Sequence, residues 1–249
     1  EMCIRDRALG GASWPTLGSD GAWVSCLGDM GIKIASLKAA NCGFDADWSE
    51  HMRTHVAGQP LKGVTLSIAD QQAHGDCMVT DNGLEGGPVY TLSAVLRDAI
   101  AGEGKAVLNV DLLPDIDETD LIERLSKPRG KKSMATHLRR TVALTGTKSA
   151  LLREGADPAI FADPKKLAAR IKAVPVPLLR ARPLAEAIST AGGIAWDQLT
   201  SGFEIKAMPG VYAVGEMLDW DAPTGGYLLS ACLATGRSAG EAVALKLGA

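Results

Sequence analysis

The residues that could do chemistry gather towards the C-terminal end of this chain. Val211, Tyr212, Ala213 and Val214 form a short apolar run bounded by glycines, which is the pattern of a buried strand. Gly215 and Glu216 stand where that strand must stop. Pro223, Thr224, Gly225 and Gly226 make a turn, and a Leu- and Ala-rich stretch begins at Tyr227. A double glycine before such a stretch is a helix start. The first N–H groups of that helix are free and carry partial positive charge. An acid at a strand end beside a bare helix tip can accept hydrogen bonds from hydroxyls and donate them to electron-rich atoms. Together they suit a polyhydroxylated, electron-rich ligand.

The elements that must position these residues can be read next. Within residues 227–247, Ser230, Ala231, Ala234, Gly236, Ser238, Ala239 and Gly240 are small enough for close approach to a sheet or a flat ring. Leu229 and Leu233 are four apart, as are Leu228 and Cys232, which predicts a core-facing stripe. From spacing alone this is an ordinary C-terminal βα unit. Upstream, Ser19 or Asp20 can cap a helix containing Trp23, Val24, Cys26 and Leu27, with Gly28 or Gly31 ending it. Residues 32–37 then alternate like a strand.

The middle of the chain changes character. Residues 61–68 and 77–80 read as strands joined by a turn at His74-Gly75-Asp76. Residues 83–88 read as a loop, 89–100 as a helix and 106–113 as another strand. Strands with few helices between them predict a small antiparallel sheet or barrel. From Asp115 the pattern becomes helical, over 117–125, 132–144, 149–154 and 164–173, with Asp163-Pro164 as a start signal. Pro175 and Pro177 keep 174–179 extended and favour an edge or bulged position.

Composition narrows the function classes. With 249 residues and 46% hydrophobic content the chain can bury a full core, as one large domain or two modest ones. A net charge of −3 gives no bias towards nucleic acid or anionic membranes, and no apolar run is long enough for a helical span. Five scattered cysteines without Cys-x-x-Cys spacing argue against a disulfide framework or a zinc site and for reduced thiols in the cytoplasm. His51 and His55 are four apart but have no third ligand beside them. Arg129-Gly130-Lys131-Lys132-Ser133 lacks the upstream glycine and the residue order of a phosphate loop. The basic cluster Arg124, Lys127, Arg129, Lys131, Lys132, Arg139 and Arg140 could meet RNA or another anionic partner. The acidic run Asp115, Asp117, Glu118, Asp120 and Glu123 directly precedes it and offsets its field, so a solvated helical face is the expectation.

Four ordered stretches carry a resemblance: Ala8-Leu9-Gly10-Gly11-Ala12-Ser13, Thr80-Asp81-Asn82-Gly83-Leu84-Glu85-Gly86, residues 187–193 (AISTAGG), and Gly215 through Tyr227. In these the chain resembles bacterial FAD-dependent flavoproteins of the aminoacetone-oxidase-like or bile-acid-dehydroxylation-related NAD(P)/FAD-dependent oxidoreductase group. The resemblance implies an α/β fold: a Rossmann-type FAD-binding domain formed by 8–43 and 184–249, interrupted by an inserted domain over 44–183, β-rich at 60–114 and helical at 115–173. It also implies a strand, a Gly-x-Gly-x-x-Gly turn and a helix at the start. No such turn occurs in the sequence, so the N-terminal βαβ is expected to be missing and the chain to be a fragment. Residues 1–7 read as a non-native leader outside the fold.

The resemblance further implies roles. Gly10 and Gly11 close a strand beside the flavin nucleotide. Thr190, Gly192 and Gly193 line the flavin ring, Glu216 receives the ribityl hydroxyls, Gly225, Gly226 and Tyr227 present N–H groups to the pyrimidine edge, and Gly215 and Thr224 belong to the same cofactor-binding set. The expected cofactor is FAD, with NAD(P)H as a candidate electron donor and a small organic molecule as substrate. Nucleic acid and membrane partners are not expected. No catalytic acid or base is identified; Asp219, Asp221 and Ser13 lie nearest the motif. The alternative reading is a flavin-binding or cofactor-free regulatory protein acting through its helical basic segment.

Overall fold

In a computed structural model, residues 5–248 of the chain are described. The chain divides into two units, Glu1–Cys42 with Arg182–Ala249, and Gly43–Ala181. The first begins with β1 (Arg5–Arg7), α1 (Trp23–Asp29) and β2 (Ile34–Ala40). Arg5–Arg7, set outside the fold on sequence grounds, pair in parallel with Val211, Tyr212 and Ala213. Strand pairing uses backbone groups that every non-proline residue carries, so a polar tripeptide can extend a sheet without announcing it. The rest of the expected leader, residues 1–4, lies outside the described residues.

The second unit is built on a barrel. Its strands are β3 (Phe44–Ala46), β4 (Gln59–Ile68), β5 (Gln71–Val79), β6 (Gly83–Glu85), then β7 (Ala106–Asp111) and β8 (Val174–Ala181). They close in the order β3-β6-β5-β4-β7-β8, every pair antiparallel. Alternation puts Leu61, Val64, Leu66, Leu108, Val110, Val174, Val176 and Leu178 out of water, each such side chain contributing roughly 1.5–3 kcal/mol. The step from Leu61 to Val64 keeps this phase because a bulge intervenes. There Gly63 takes φ +53° and its N–H donates to Asp76 Oδ1 at 2.7 Å.

Two local expectations give way here. The β4–β5 hairpin turns at Ala69-Asp70, with Ile68 opposite Gln71, and His74-Gly75-Asp76 lie inside β5. Gly75 serves packing instead, since a Cβ on it would stand 3.0 Å from the Pro88 ring. Residues 83–88 are not a loop either. Gly83–Glu85 form β6 between β3 and β5, and a helix starts at Gly87. Three residues are too few to display a period. Pro175 and Pro177 face only β7, because β3 reaches no further along β8 than Leu178. Their missing N–H groups therefore cost no ladder bond, even in a closed barrel.

Helices α2 (Gly87–Thr91) and α3 (Ser93–Glu103) pack beside the barrel, and α4 (Glu118–Leu125), α5 (Met134–Val142), α6 (Gly146–Arg153) and α7 (Pro164–Lys172) form a helical group. Asp117, Ser133 and Asp163 cap α4, α5 and α7 by accepting N–H groups of the first turn, worth about 1 kcal/mol each. Leu121, Leu125, Leu138, Leu167 and Ile171 bury one face of the group. Lys148 Nζ donates to the carbonyls of Gly63 (3.1 Å) and Leu112 (2.6 Å).

The chain returns to the first unit with β9 (Ser189–Ile194), β10 (Val211–Ala213) and α8 (Tyr227–Leu247). Strand β2 runs antiparallel to β9, and β1 parallel to β10. Trp23, Leu27, Ile32, Ile194, Leu199, Ile205, Met217 and Leu218 form the core of this unit. Helix α8 does not bury the expected leucine stripe, for Leu229 and Leu233 are 67% and 68% exposed. It packs through the narrow face of Cys232, Thr235, Ala239 and Val243 against Tyr212, Val214 and Gly215. Small side chains let the helix lie close to the β10 backbone, where leucines would hold it off. No described helix is long and apolar enough to cross a membrane.

Candidate functional site

The end of β10 gives the site its anchor. After Ala213 the chain enters a 3-10 turn, Gly215–Met217, that Gly215 permits with φ +69°. Gly215 N–H donates to Thr235 Oγ1 at 3.1 Å, tying the turn to α8 two turns into the helix. The Glu216 carboxylate then gathers two remote segments. One oxygen accepts the N–H of Thr190 at 2.8 Å, the other that of Gly11 at 3.1 Å. Ala12 N–H completes the knot by donating to Thr190 Oγ1 at 2.9 Å. A Cβ on Gly11 would overlap the Thr190 hydroxyl and stand 3.0 Å from the Glu216 carboxyl carbon. Only glycine lets these three segments meet.

Gly10 belongs to the same loop, with φ +74°, and its carbonyl accepts from the Trp23 indole at 3.0 Å. Beside it Ser19 Oγ is buried and has no hydrogen-bond partner among the described residues. Gly192 and Gly193 have a different setting. They lie within β9 at the bulge against β2, where the register shifts between Ala35 and Lys38. A Cβ on Gly192 would overlap the Ser36 carbonyl, and one on Gly193 would stand 2.5 Å from the Met217 carbonyl oxygen. Both doublet positions are thus claimed by protein backbone.

Thr224, Gly225, Gly226 and Tyr227 form the turn that enters α8. Gly226, with φ +86°, is the N-cap of α8, and no side chain caps the helix. A Cβ on Gly226 would meet nothing within 4 Å. Tyr227 is 59% exposed.

Sequence reasoning passed over Asn41, which connects these two parts. It sits at the end of β2 with φ +50°, buried, and its Nδ2 donates to Ser189 Oγ at 2.7 Å and to the Ala222 carbonyl at 2.8 Å. The loop before the helix tip is thereby fixed to the residue preceding Thr190. Its one sequence signal is weak: Asn tolerates the left-handed region better than other side-chain-bearing residues. Of the nearby acids and hydroxyls, Ser13 is buried, Asp219 uses its N–H to bond the Ile194 carbonyl at 3.0 Å, and the Asp219 carbonyl accepts the Trp196 indole at 2.7 Å.

Burial, and then the charge of Glu216, raise the Cys232 thiol above its ordinary value, so this neighbour stays neutral. Adjoining the site, an apolar cleft of about 470 Å³ is lined by Leu9, Trp23, Met30, Met208, Val211 and Met217, among others. No group of three or more His, Cys, Asp or Glu residues able to hold a metal occurs among the described residues. His51 and His55 instead stack, with ring centroids 4.9 Å apart.

The barrel and the helical group lie within a stretch that matches a known family. Residues 38–189, more than half of the chain, match the family model described as HI0933-like protein barrel and H2TH domain. The chain therefore belongs to the HI0933-like family, within the superfamily of FAD-dependent flavoprotein oxidoreductases.

Proposed function

We propose that the first unit seats the flavin part of FAD and that the protein is an FAD-dependent oxidoreductase acting on a small organic molecule, with NAD(P)H as candidate electron donor. The observation that carries this reading is the Glu216 knot beside the uncapped tip of α8. A carboxylate oxygen has two lone pairs, and each oxygen of Glu216 uses one on a backbone N–H. Each keeps an acceptor site suited to a ribityl hydroxyl. The α8 tip offers N–H donors that no side chain caps, which fits an electron-rich ring edge. The unpartnered Ser19 hydroxyl beside Gly10 is a further polar group without a protein partner. These residues fit the flavin end of the cofactor. The sequence has no Gly-x-Gly-x-x-Gly for the pyrophosphate.

Bound FAD would supply the hydride chemistry. The work of the protein's own residues is orientation and charge. Gly11 and Thr190 hold Glu216 in one position, so its acceptors are fixed before a ligand arrives. The partial positive charge of the α8 tip favours negative charge placed before it. Leu9, Trp23 and Met217 line an apolar wall that excludes water from one side. No residue is assigned as catalytic acid or base.

The test is reconstitution. The purified chain, incubated with FAD and desalted, is expected to retain flavin absorbance and quench flavin fluorescence. Glu216→Ala is expected to weaken retention at least tenfold, about 1.4 kcal/mol. A folded chain that stays colourless with FAD, FMN and riboflavin alike would sink the proposal.

A further inference from the structure

The apolar cleft of about 470 Å³ in the first unit has the size of a small-molecule site. Its floor is core, since Trp23, Leu27 and Met217 are buried. Its rim is not: Leu9 and Met30 are 48% and 55% exposed. Large apolar side chains that share one hollow from core to rim mark a binding surface, whereas single exposed ones mean little. Few side chains on the lining can hydrogen-bond. The Trp23 indole N–H is spent on the Gly10 carbonyl at 3.0 Å. Asp20 is exposed, and its Oδ1 accepts the Ala22 N–H at 3.0 Å. The Cys26 thiol is a weak donor. Arg7 differs from these. It is half-buried on the lining, and its guanidinium has no ion pair or hydrogen bond among the described residues. Backbone pairing fixes its place, for Arg7 lies opposite Ala213 and its carbonyl accepts the Val214 N–H at 3.1 Å.

These features select a ligand. The apolar floor takes a hydrocarbon body. Three thioethers on the lining, from Met30, Met208 and Met217, conform to its shape because methionine is unbranched and flexible. Asp20 apart, no side chain on the lining is a strong acceptor, so hydroxyls along the body would lose water without replacement. The free guanidinium calls for an anion, and its fork matches a carboxylate. One cation balances a monoanion but not the double charge of a phosphate monoester.

We propose that this cleft binds an unhydroxylated aliphatic monocarboxylate, with its chain over Trp23 and Met217 and its carboxylate on Arg7. The site needs no flavin, so the inference stands apart from the reading of the Glu216 knot. The experiment is isothermal titration calorimetry of the flavin-free chain with hexanoate, octanoate and decanoate at about pH 8, where the carboxylates are ionised. Affinity is expected to rise about tenfold for each two methylenes, with a negative heat-capacity change. Arg7→Gln should lose about tenfold or more for octanoate but less than about threefold for octanol, which shows that the variant is folded. Leu9→Ala/Met30→Ala should lose about fivefold or more for both ligands. Lys38→Gln, exposed on β2 and off the lining, should bind octanoate like the parent. The absence of decanoate binding overturns the proposal, and a dimer seen by sedimentation of the same chain would then assign the cleft to a second copy. So does equal affinity for octyltrimethylammonium, affinity independent of chain length, or an Arg7→Gln variant that binds octanoate like the parent.

Discussion

Glu216→Gln keeps the length and shape of the side chain but turns one acceptor oxygen into an NH₂ donor. In the parent, the two carboxylate oxygens hold the N–H groups of Gly11 and Thr190 at 3.1 and 2.8 Å. Whichever way the amide is turned, one of those N–H groups then faces another donor. Losing one hydrogen bond to a charged acceptor costs about 1.5–3 kcal/mol, and the surviving bond weakens because its acceptor is neutral. Partial exposure lets water recover some of this, so the expected loss is about 2 kcal/mol. For a chain of this size that is roughly 4–8 °C in Tm. Thermal unfolding by circular dichroism measures the shift, and amide hydrogen exchange should show faster exchange at Gly11 and Thr190. A variant that melts within about 1 °C of the parent, with both amides as protected as before, would refute the claim that this carboxylate ties three segments together.

Other outcomes follow from the same geometry. Gly192→Ala combines φ +88° with a Cβ on the Ser36 carbonyl and should cost about 3 kcal/mol or more. Gly226→Ala meets open space and only a left-handed φ, so about 1–2 kcal/mol is expected; comparative melts decide. Burial first and then Asp76 push the Cys77 thiol up to about 12, so a thiol reagent at about pH 8 should label exposed Cys26 and spare Cys77. Lys246 and the Gly210 N–H hold the Glu204 carboxyl below its ordinary value. Its contribution is thus complete above the unfolded pKa of about 4.3 and is lost as pH falls through the lower folded value. The Tm gap between parent and Lys246→Met, measured against pH, should close on acidification in that window. Leu229→Gln/Leu233→Gln, on the exposed face of α8, should shift stability by less than about 0.5 kcal/mol each; a loss of several would mean that face is buried.

Several features were legible before any coordinates. Residues 61–68 and 106–113 read as strands, and Pro175 and Pro177 keep the start of β8 extended because their rings forbid helix. Asp163-Pro164 marks a helix start because the Asp163 carboxylate satisfies N–H groups only two and three residues away. Gly225 and Gly226 mark a turn because only glycine adopts positive φ without strain. Each of these signals is local, with cause and effect inside a few residues of chain.

What the tertiary structure decided is non-local. Closure of six strands into a barrel, the β9 bulge that uses Gly192, and the pairing of Arg5–Arg7 with Val211–Ala213 depend on segments far apart in sequence. The hydrogen bond from Gly11 to Glu216 spans 205 positions, and no periodicity carries information over that distance. The buried face of α8 was chosen by the shape of the surface it meets, so small residues went in and leucines stayed out. Sequence order ranks neighbours by covalent distance, but packing and electrostatics act through space.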